Sequence, residues 1–305
     1  MNTSILIPNI RKGCDPMMSN HEKVQIILEA LPYIQKFSGK TIVIKYGGSV
    51  MEDEKLSKEV FRDIVLLKFV GMYPIVVHGG GKEITHLMKK LGIPSKFVSG
   101  HRITDKETLD IVEMILAGKV NKRVVAGINA QGGLAIGLSG KDANLIKAEK
   151  LKLNESLDLG YVGDIKSINI KLLESLIHEG YIPVISSIGI DEKGQGYNIN
   201  ADIVAGKVAQ MLKAEKLIYL TDTEGVMNRE KGIISHLSID EAKRLIERGD
   251  IVGGMLPKVT SGMDALKGGV RKVHIINGNF PHSILLEIFT EEGIGTEIVN
   301  SQKGV

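Results

Sequence analysis

Short runs of β-branched and apolar residues alternate with longer stretches of helical periodicity along most of this 305-residue chain. Such alternation is typical of a mainly parallel sheet covered by helices on both faces. The clearest predicted strands are 41–45, 74–78, 181–186, 216–221 and 272–276. Helices are predicted at 54–70, 84–91, 105–129, 170–178, 201–212, 239–248 and 256–267. We therefore expect a three-layer α/β/α fold.

The segment before the first strand does not follow this alternation. Residues 1–18 are interpreted as a loose tail, whereas residues 20–37 carry an apolar stripe at helical spacing. Pro32 lies inside this predicted helix and is expected to kink it. An apolar face outside the core needs a partner, which could be the body of the same chain or another subunit.

The composition argues against several classes of protein. The chain has 39 basic and 36 acidic residues, an excess too slight to indicate binding to nucleic acid or a membrane. Cys14 is the only cysteine, so an intramolecular disulfide is impossible and a reducing compartment is expected. We find no signal peptide and no apolar run near the roughly 20 residues that span a bilayer. The expected location is the cytoplasm.

Two predicted strands run directly into glycine-rich turns that precede helices. Strand 41–45 is followed by YGGS (46–49), and strand 74–78 by GGGK (79–82). Open α/β sheets bind ligands at such strand ends, where glycines let backbone N–H groups approach an anion. The glycines could instead serve only as tight turns, but two adjacent junctions favour anion binding. P-loop, dinucleotide and protein-kinase signatures do not match, so a phosphate site of another kind is predicted.

Charged side chains flank these turns. Lys45 ends the first strand directly before its glycines, and Lys258 lies in the first turn of helix 256–267, where its charge opposes the macrodipole unless an anion compensates. Both could stabilise a transferred phosphoryl group, although a strand-end lysine can also be merely solvated. Asp202 could hold the two lysines in place.

The candidates for substrate binding are polar. Asn198 precedes helix 201–212 and could face the same crevice, whereas Asn200 is interpreted first as the N-cap of that helix. Arg102 follows the second βα unit. Its guanidinium could grip a carboxylate through two hydrogen bonds, and the alternative is an ordinary surface arginine.

Taken together, these motifs resemble the amino acid kinase superfamily and, within it, the N-acetylglutamate kinase family. The resemblance covers about residues 20–300. It implies a central, mainly parallel sheet shared by an acyl-amino-acid lobe at 39–213 and a nucleotide lobe at 214–305, after an N-terminal tail and interaction helix at 1–38. The matching segments are IVIKYGGSVM (42–51), VVHGGGKEI (76–84), SGHRITD (99–105), YNINADIVA (197–205), YLTDTEGV (219–226), GGMLPKV (253–259) and LLEIFTEEGIGTEIV (285–299).

The resemblance also implies an activity, in which ATP phosphorylates the γ-carboxylate of N-acetyl-L-glutamate. Mg²⁺ would be held mainly by the phosphates of ATP and not by protein ligands. Lys45 and Lys258 would stabilise the phosphoryl group, Asp202 would organise both lysines, and Arg102 and Asn198 would bind the substrate's α-carboxylate. A carboxylate with a pKa near about 4.3 is already ionised at neutral pH, so no general base is needed. The glycines implied to hold phosphates, substrate and developing charge are Gly47, Gly48, Gly80 and Gly81.

Arginine-inhibited members of the family are similar to this chain in having a kinked N-terminal helix, which exchanges between dimers to build a hexamer. The resemblance therefore implies a homo-oligomer that is inhibited by arginine. The positions implied for arginine are Tyr33, His274, Glu287 and Gly293, with Lys216 less firmly matched. Glu287 could equally be an exposed helix carboxylate, and His274 a strand residue without a special role.

One motif departs from the family, and three other functions remain open. Residues 277–279 read NGN, where many relatives carry Asp-Gly-Arg. The alternatives are a kinase for another small acid, a non-catalytic amino-acid sensor on the same fold, and a nicotinamide dehydrogenase. Lys45, Asp202 and Lys258 argue against a sensor, and the absent dinucleotide fingerprint argues against a dehydrogenase.

Overall fold

The computed structural model describes residues 19–98, 100–153, 157–230 and 232–300. The chain divides into two compact units, Met1–Lys36 and Phe37–Val305. Within the described ranges, no helix combines the length and the apolar character needed to cross a membrane.

Helix α1 (Asn20–Phe37) lies in the first unit except for its last residue, and it confirms the helix predicted at 20–37. It continues through Pro32. The apolar side chains of Val24, Ile27 and Leu28 are each more than half exposed.

The second unit contains the alternating strands and helices. Its strands are β1 (Thr41–Tyr46), β2 (Tyr73–His78), β3 (Phe97–Val98), β4 (His101–Arg102), β5 (Ala135–Ser139), β6 (Ile146–Lys150), β7 (Gly163–Ile168), β8 (Ile182–Ser186), β9 (Ile188–Ile190), β10 (Gly196–Asn198), β11 (Lys216–Thr221), β12 (His236–Ser238), β13 (Lys272–Asn277) and β14 (Thr296–Val299). Its helices are α2 (Glu54–Phe69), α3 (Gly81–Lys90), α4 (Lys106–Glu113), α5 (Asn121–Ala130), α6 (Ile170–His178), α7 (Ala201–Met211), α8 (Ile239–Glu247), α9 (Met255–Lys267) and α10 (Ser283–Phe289).

Eight strands form the central sheet in the order β12-β14-β13-β11-β1-β2-β8-β5. All neighbours are parallel except β13 and β14, which confirms the predicted mainly parallel sheet. One face contributes Val43 and Leu217 to a core that includes Val204 of α7. Ile42 and Ile44, whose side chains lie on the other face of β1, are also fully buried. Both faces of β1 are therefore covered, as in other parallel sheets.

Two departures from the predicted elements affect the site. The region predicted as one helix at 105–129 consists of α4, a π-helical segment (Met114–Val120) and α5. The prediction of one regular helix is therefore wrong. Strands β6, β7, β9 and β10 form a second sheet that was not predicted. Polar residues in β6 and β7 interrupt the apolar runs by which the central strands are recognised, and β9 and β10 are only three residues long.

Candidate active site

A buried carboxylate joins two lysines from opposite halves of the chain. Asp202, in the first turn of α7, lies with its Oδ1 3.2 Å from Lys45 Nζ and accepts a 3.0 Å hydrogen bond from Lys258 Nζ at Oδ2. The Lys45 contact is an ion pair without hydrogen-bond geometry. All three side chains are nearly buried, with at most 12% of each exposed. The structure thus places two cations side by side around one anion.

The charges of these groups depend on one another. Burial alone would raise the pKa of Asp202, but the positive charges of Lys45 and Lys258 outweigh it and hold that pKa below its ordinary value. Lys258 also donates to the Gly254 carbonyl, 3.1 Å away. The carboxylate therefore stays ionised at neutral pH and compensates the lysine that would otherwise oppose the α9 macrodipole.

The first glycine turn lies directly beside this cluster. β1 ends at Tyr46, and residues Gly48–Met51 form a short 3₁₀ helix. A Cβ atom at Gly47 would lie only 2.7 Å from Lys45 Nζ. Any larger residue would compete with the ammonium group for space, so glycine here allows Lys45 to fold back over the turn.

The second glycine turn connects β2 to α3, with Gly80 as the N-cap of that helix. Both glycine turns line a cavity of about 760 Å³, together with Arg102, Asn198 and Asn200. This volume lies within the usual range of small-molecule sites. The structure thus brings the glycines and the predicted substrate-binding residues to one cavity, with the Lys45 side chain on its wall.

Arg102 is held by several partners and is only 6% exposed, so the alternative of a surface arginine is wrong. Its Nη2 donates to the Gly81 carbonyl at 2.9 Å and to Thr85 Oγ1 at 2.8 Å, while Nη1 donates to Ser95 Oγ at 2.8 Å. The guanidinium also stacks 4.6 Å from the centre of the Phe97 ring. These contacts fix the guanidinium plane at the cavity wall, where it can meet an anionic ligand.

The polar residues before α7 have different local roles. Asn200 is the N-cap of the helix, since its side chain accepts from Asp202 N–H at 2.8 Å, and that prediction is confirmed. Asn198 Nδ2 donates to Thr104 Oγ1 at 3.1 Å. Asn198 lines the cavity, and this hydrogen bond ties its amide nitrogen to the buried Thr104.

Residues 277–279 (NGN), where the chain departs from the family motif, contact the first glycine turn. The sequence did not indicate this contact. Ser49 Oγ donates to Asn279 Oδ1 at 2.8 Å, and Asn277 Nδ2 donates to Glu224 Oε1 at 2.7 Å. The end of β13 is therefore tied to the turn that follows β1. The partners are 230 positions apart, and no local pattern connects them.

A second polar cluster lies on the opposite half of the sheet. Lys216 Nζ lies 3.0 Å from His274 Nε2, and His274 Nδ1 lies 2.7 Å from Glu287 Oε1. Glu287 Oε2 also accepts from Ile294 N–H at 2.9 Å. Burial would raise the pKa of Glu287, but His274 and Lys216 together lower it. At 8% exposure, Glu287 is not the exposed helix carboxylate considered as an alternative.

Comparisons with known proteins agree with this arrangement. The amino acid kinase family model matches residues 40–277. The chain is 56% identical to an acetylglutamate kinase from Desulforamulus reducens, over 93% of this chain and 100% of that protein.

Two solved structures of N-acetylglutamate synthase from Neisseria gonorrhoeae are also similar. One, in complex with coenzyme A and N-acetyl-glutamate, has a TM-score of 0.83 at 28% identity and covers 92% of this chain. The other, in complex with coenzyme A and L-arginine, has a TM-score of 0.79 at 26% identity and covers 91% of this chain. The present chain spans only 64% and 65% of those synthase chains.

Proposed function

The chain belongs to the amino acid kinase family, and we propose that it transfers the γ-phosphoryl group of ATP to the γ-carboxylate of N-acetyl-L-glutamate, a step of arginine biosynthesis in the cytoplasm. The observation that carries this proposal is the pair of lysines held by Asp202, one of which, Lys45, lines the same cavity as both glycine turns. Phosphoryl transfer requires chiefly positioning and stabilisation of the charge on the moving group. Paired cations and backbone N–H groups provide both.

The chemical step follows from these groups. The substrate carboxylate is ionised at neutral pH and attacks the γ-phosphorus, while the bond to the ADP oxygen breaks. Lys45 and Lys258 offset the charge on the phosphoryl oxygens, and N–H groups of Gly48 and Gly80 donate to the same region. Asp202 keeps both ammonium groups in position and takes no proton from the substrate.

Mg²⁺ is expected to enter with ATP. Both Asp202 oxygens face lysines, so this carboxylate is not arranged as a metal ligand. Among the described residues, no group of three or more His, Cys, Asp or Glu side chains could hold a metal ion. The phosphate oxygens of ATP, together with water, would supply the metal's ligands, and the bound ion would neutralise part of the phosphate charge.

An assay of ATP consumption tests the substrate directly. N-acetylglutamate, glutamate and aspartate would be supplied in turn, and the acyl phosphate would be trapped with hydroxylamine. We expect trapped product with N-acetylglutamate at the lowest KM. A preference for glutamate or aspartate would instead support a kinase for another small acid, and no turnover with any of them would support the amino-acid sensor.

Replacing Arg102 by lysine should raise the KM for N-acetylglutamate and leave the KM for ATP nearly unchanged. Lysine keeps the charge but cannot hold Gly81, Thr85 and Ser95 in one plane as the guanidinium does. The matched control is Arg123→Lys, because Arg123 pairs with Glu83 and is 44% exposed. A selective rise in the KM for ATP would show that Arg102 serves the nucleotide and not the acyl amino acid.

We also propose that arginine inhibits this enzyme at the cluster formed by Lys216, His274 and Glu287. The buried Glu287 carboxylate could pair with a guanidinium. Gly293 has a positive φ of 59°, and a Cβ there would lie 2.9 Å from Glu287 Oε2, so its backbone approaches the carboxylate closely. The similar N-acetylglutamate synthase was solved in complex with L-arginine, which supports the proposal that a protein of related structure can bind this ligand. Tyr33 on α1 is the fifth proposed contact.

Deleting residues 1–36 should give active dimers that arginine no longer inhibits. The exposed apolar face of α1 is proposed to join dimers into a hexamer, and the deletion also removes Tyr33. Ending the deletion at Lys36 keeps Phe37, whose buried ring lies 5.5 Å from Lys216 Nζ. Size-exclusion chromatography with light scattering and an arginine titration measure the two effects. A truncated hexamer, or inhibition equal to that of the full chain, would contradict the proposal.

A further inference from the structure

The second glycine turn rests on a buried polar pair that the phosphoryl transfer does not use. His78, the last residue of β2, is fully buried. Its Nδ1 lies 3.0 Å from the carbonyl oxygen of Gly79, and its Nε2 lies 3.1 Å from Asn121 Nδ2. Asn121 begins α5 and is also buried. Both ring nitrogens are therefore engaged.

The partners determine which nitrogen carries the proton. Asn121 Nδ2 also donates to the Val184 carbonyl at 2.9 Å, which fixes the orientation of this amide. Nε2 of His78 must then accept from Asn121, and Nδ1 must carry the hydrogen that is donated to Gly79. Burial lowers the pKa of His78 to about 4, so the ring remains neutral at neutral pH and keeps this tautomer.

The hydrogen bond to Gly79 also orients the next N–H group. In a planar trans peptide, the carbonyl of one residue and the N–H of the next point in opposite directions. Holding the Gly79 carbonyl toward the buried ring therefore turns the Gly80 N–H away from it. Gly80 lines the cavity and is the N-cap of α3, so its N–H is not used by the helix.

The π-helical segment supports the same turn. A Cβ at Gly80 would lie 2.7 Å from Leu116 Cδ2 and 3.3 Å from Val120 Cγ2. Both side chains belong to Met114–Val120, and Asn121 follows directly. Such π-helical turns occur often at functional sites. The segment thus packs apolar side chains against Gly80, and Asn121, the residue after it, reaches His78.

We propose that His78, anchored by Asn121, is a positioning residue that aims the Gly80 N–H at the phosphoryl oxygens during transfer. The inference rests on the proposed kinase function. His78 touches neither substrate nor nucleotide, and it acts through the peptide between Gly79 and Gly80.

Two substitutions at His78 separate its two hydrogen bonds. In His78→Asn the amide nitrogen can take the place of Nδ1 and still donate to Gly79. In His78→Gln the amide reaches the place of Nε2 and keeps Asn121, but the Gly79 carbonyl loses its donor. We expect His78→Gln to lower kcat on the order of 10-fold or more. A misdirected N–H donor should lose part of the rate enhancement that is lost when an oxyanion-hole donor is removed altogether. His78→Asn should stay within about threefold of the wild type.

A transition-state analogue gives a readout that a merely structural role would not change. Affinity for ADP with aluminium fluoride, measured in the presence of N-acetylglutamate, should fall in His78→Gln in parallel with kcat. The KM values for ATP and N-acetylglutamate should change little, because the donor acts mainly in the transition state. Equal losses in both variants, or normal kcat in His78→Gln, would overturn the proposal.

A third variant tests the pair if the His78 variants do not fold. In Asn121→Asp a carboxylate replaces the amide donor, so Nε2 should carry a proton. If that proton comes from Nδ1, the Gly79 carbonyl loses its donor and kcat should fall; if the ring becomes an imidazolium, Nδ1 keeps its hydrogen bond to Gly79 and kcat should stay near the wild-type value. ¹⁵N NMR of His78 distinguishes these two states. A tautomer change with normal kcat would overturn the inference. If the wild-type chain made no acyl phosphate, the proposed function itself would fail; an active wild type with unaffected variants would refute only the role of His78.

Discussion

Replacing Lys258 with alanine should lower kcat on the order of 10²-fold or more, while the KM for N-acetylglutamate changes much less. The ammonium group acts on charge that develops in the transition state, so its loss affects the chemical step more than substrate binding. Lys45→Ala should behave in the same way, because both lysines contact the two oxygens of one carboxylate.

The control for these variants lies at the other end of the same helix. Lys267 also pairs with an aspartate, Asp264, but its side chain is 52% exposed. Lys267→Ala should therefore leave kcat within about twofold of the wild type, since surface ion pairs contribute little. Steady-state kinetics with both substrates varied would measure each constant. Near-normal turnover of Lys258→Ala or Lys45→Ala would remove that lysine from the mechanism.

Asp202→Asn is expected to lower both activity and stability. Removing one partner of a buried ion pair typically costs about 3–5 kcal/mol, and here two lysines would be left close together. Because the lysines lower the pKa of Asp202, its stabilising effect is present above the ordinary aspartate value of 3.8 and is lost only as the pH falls through the lower folded value. The difference in Tm from the wild type should thus persist between about pH 5 and pH 8.

Asp264→Asn is the matched control, since it removes the same charge from an exposed pair. Thermal unfolding followed by circular dichroism and the acyl phosphate assay would be applied to both variants. A Tm for Asp202→Asn equal to that of Asp264→Asn would show that the buried carboxylate does not hold the two lysines together.

The sequence predicted the five adjacent strands β13-β11-β1-β2-β8 of the central sheet, because burial on both faces of a strand leaves a clear apolar run. Residues 42–44 of β1 illustrate this, since all three are fully buried. β7, with the sequence GDIKSI, has one buried residue at each end and exposed or half-exposed residues between them, so it lacks such a run. Glu287 was considered as a helix residue, but the bounds of α10 were not predicted, for a different reason. This helix begins after His282 in the left-handed conformation, without a side-chain cap, and carries no usual start signal.

The candidate site was predictable as a set of residues but not as a set of contacts. A strand-end lysine before glycines is a local pattern, and Lys45 could be chosen from it. The burial of Arg102 could not be predicted, because Gly81, Thr85 and Ser95 only become its partners when α3 and β4 are packed. The pairing of His78 with Asn121 likewise depends on where the π-helical segment ends.

The position of β1 in the sheet has a consequence for synthesis on the ribosome. Its two neighbours are β2, which pairs Tyr73 with Thr41, and β11, which pairs Lys216 with Ile42. The first neighbour is available early, but the second emerges only after most of the chain has been made. Until then, one edge of an apolar strand has no native partner, and such edges promote association between chains. The strand that carries Lys45 therefore depends, in every newly made molecule, on a late segment to complete its pairing.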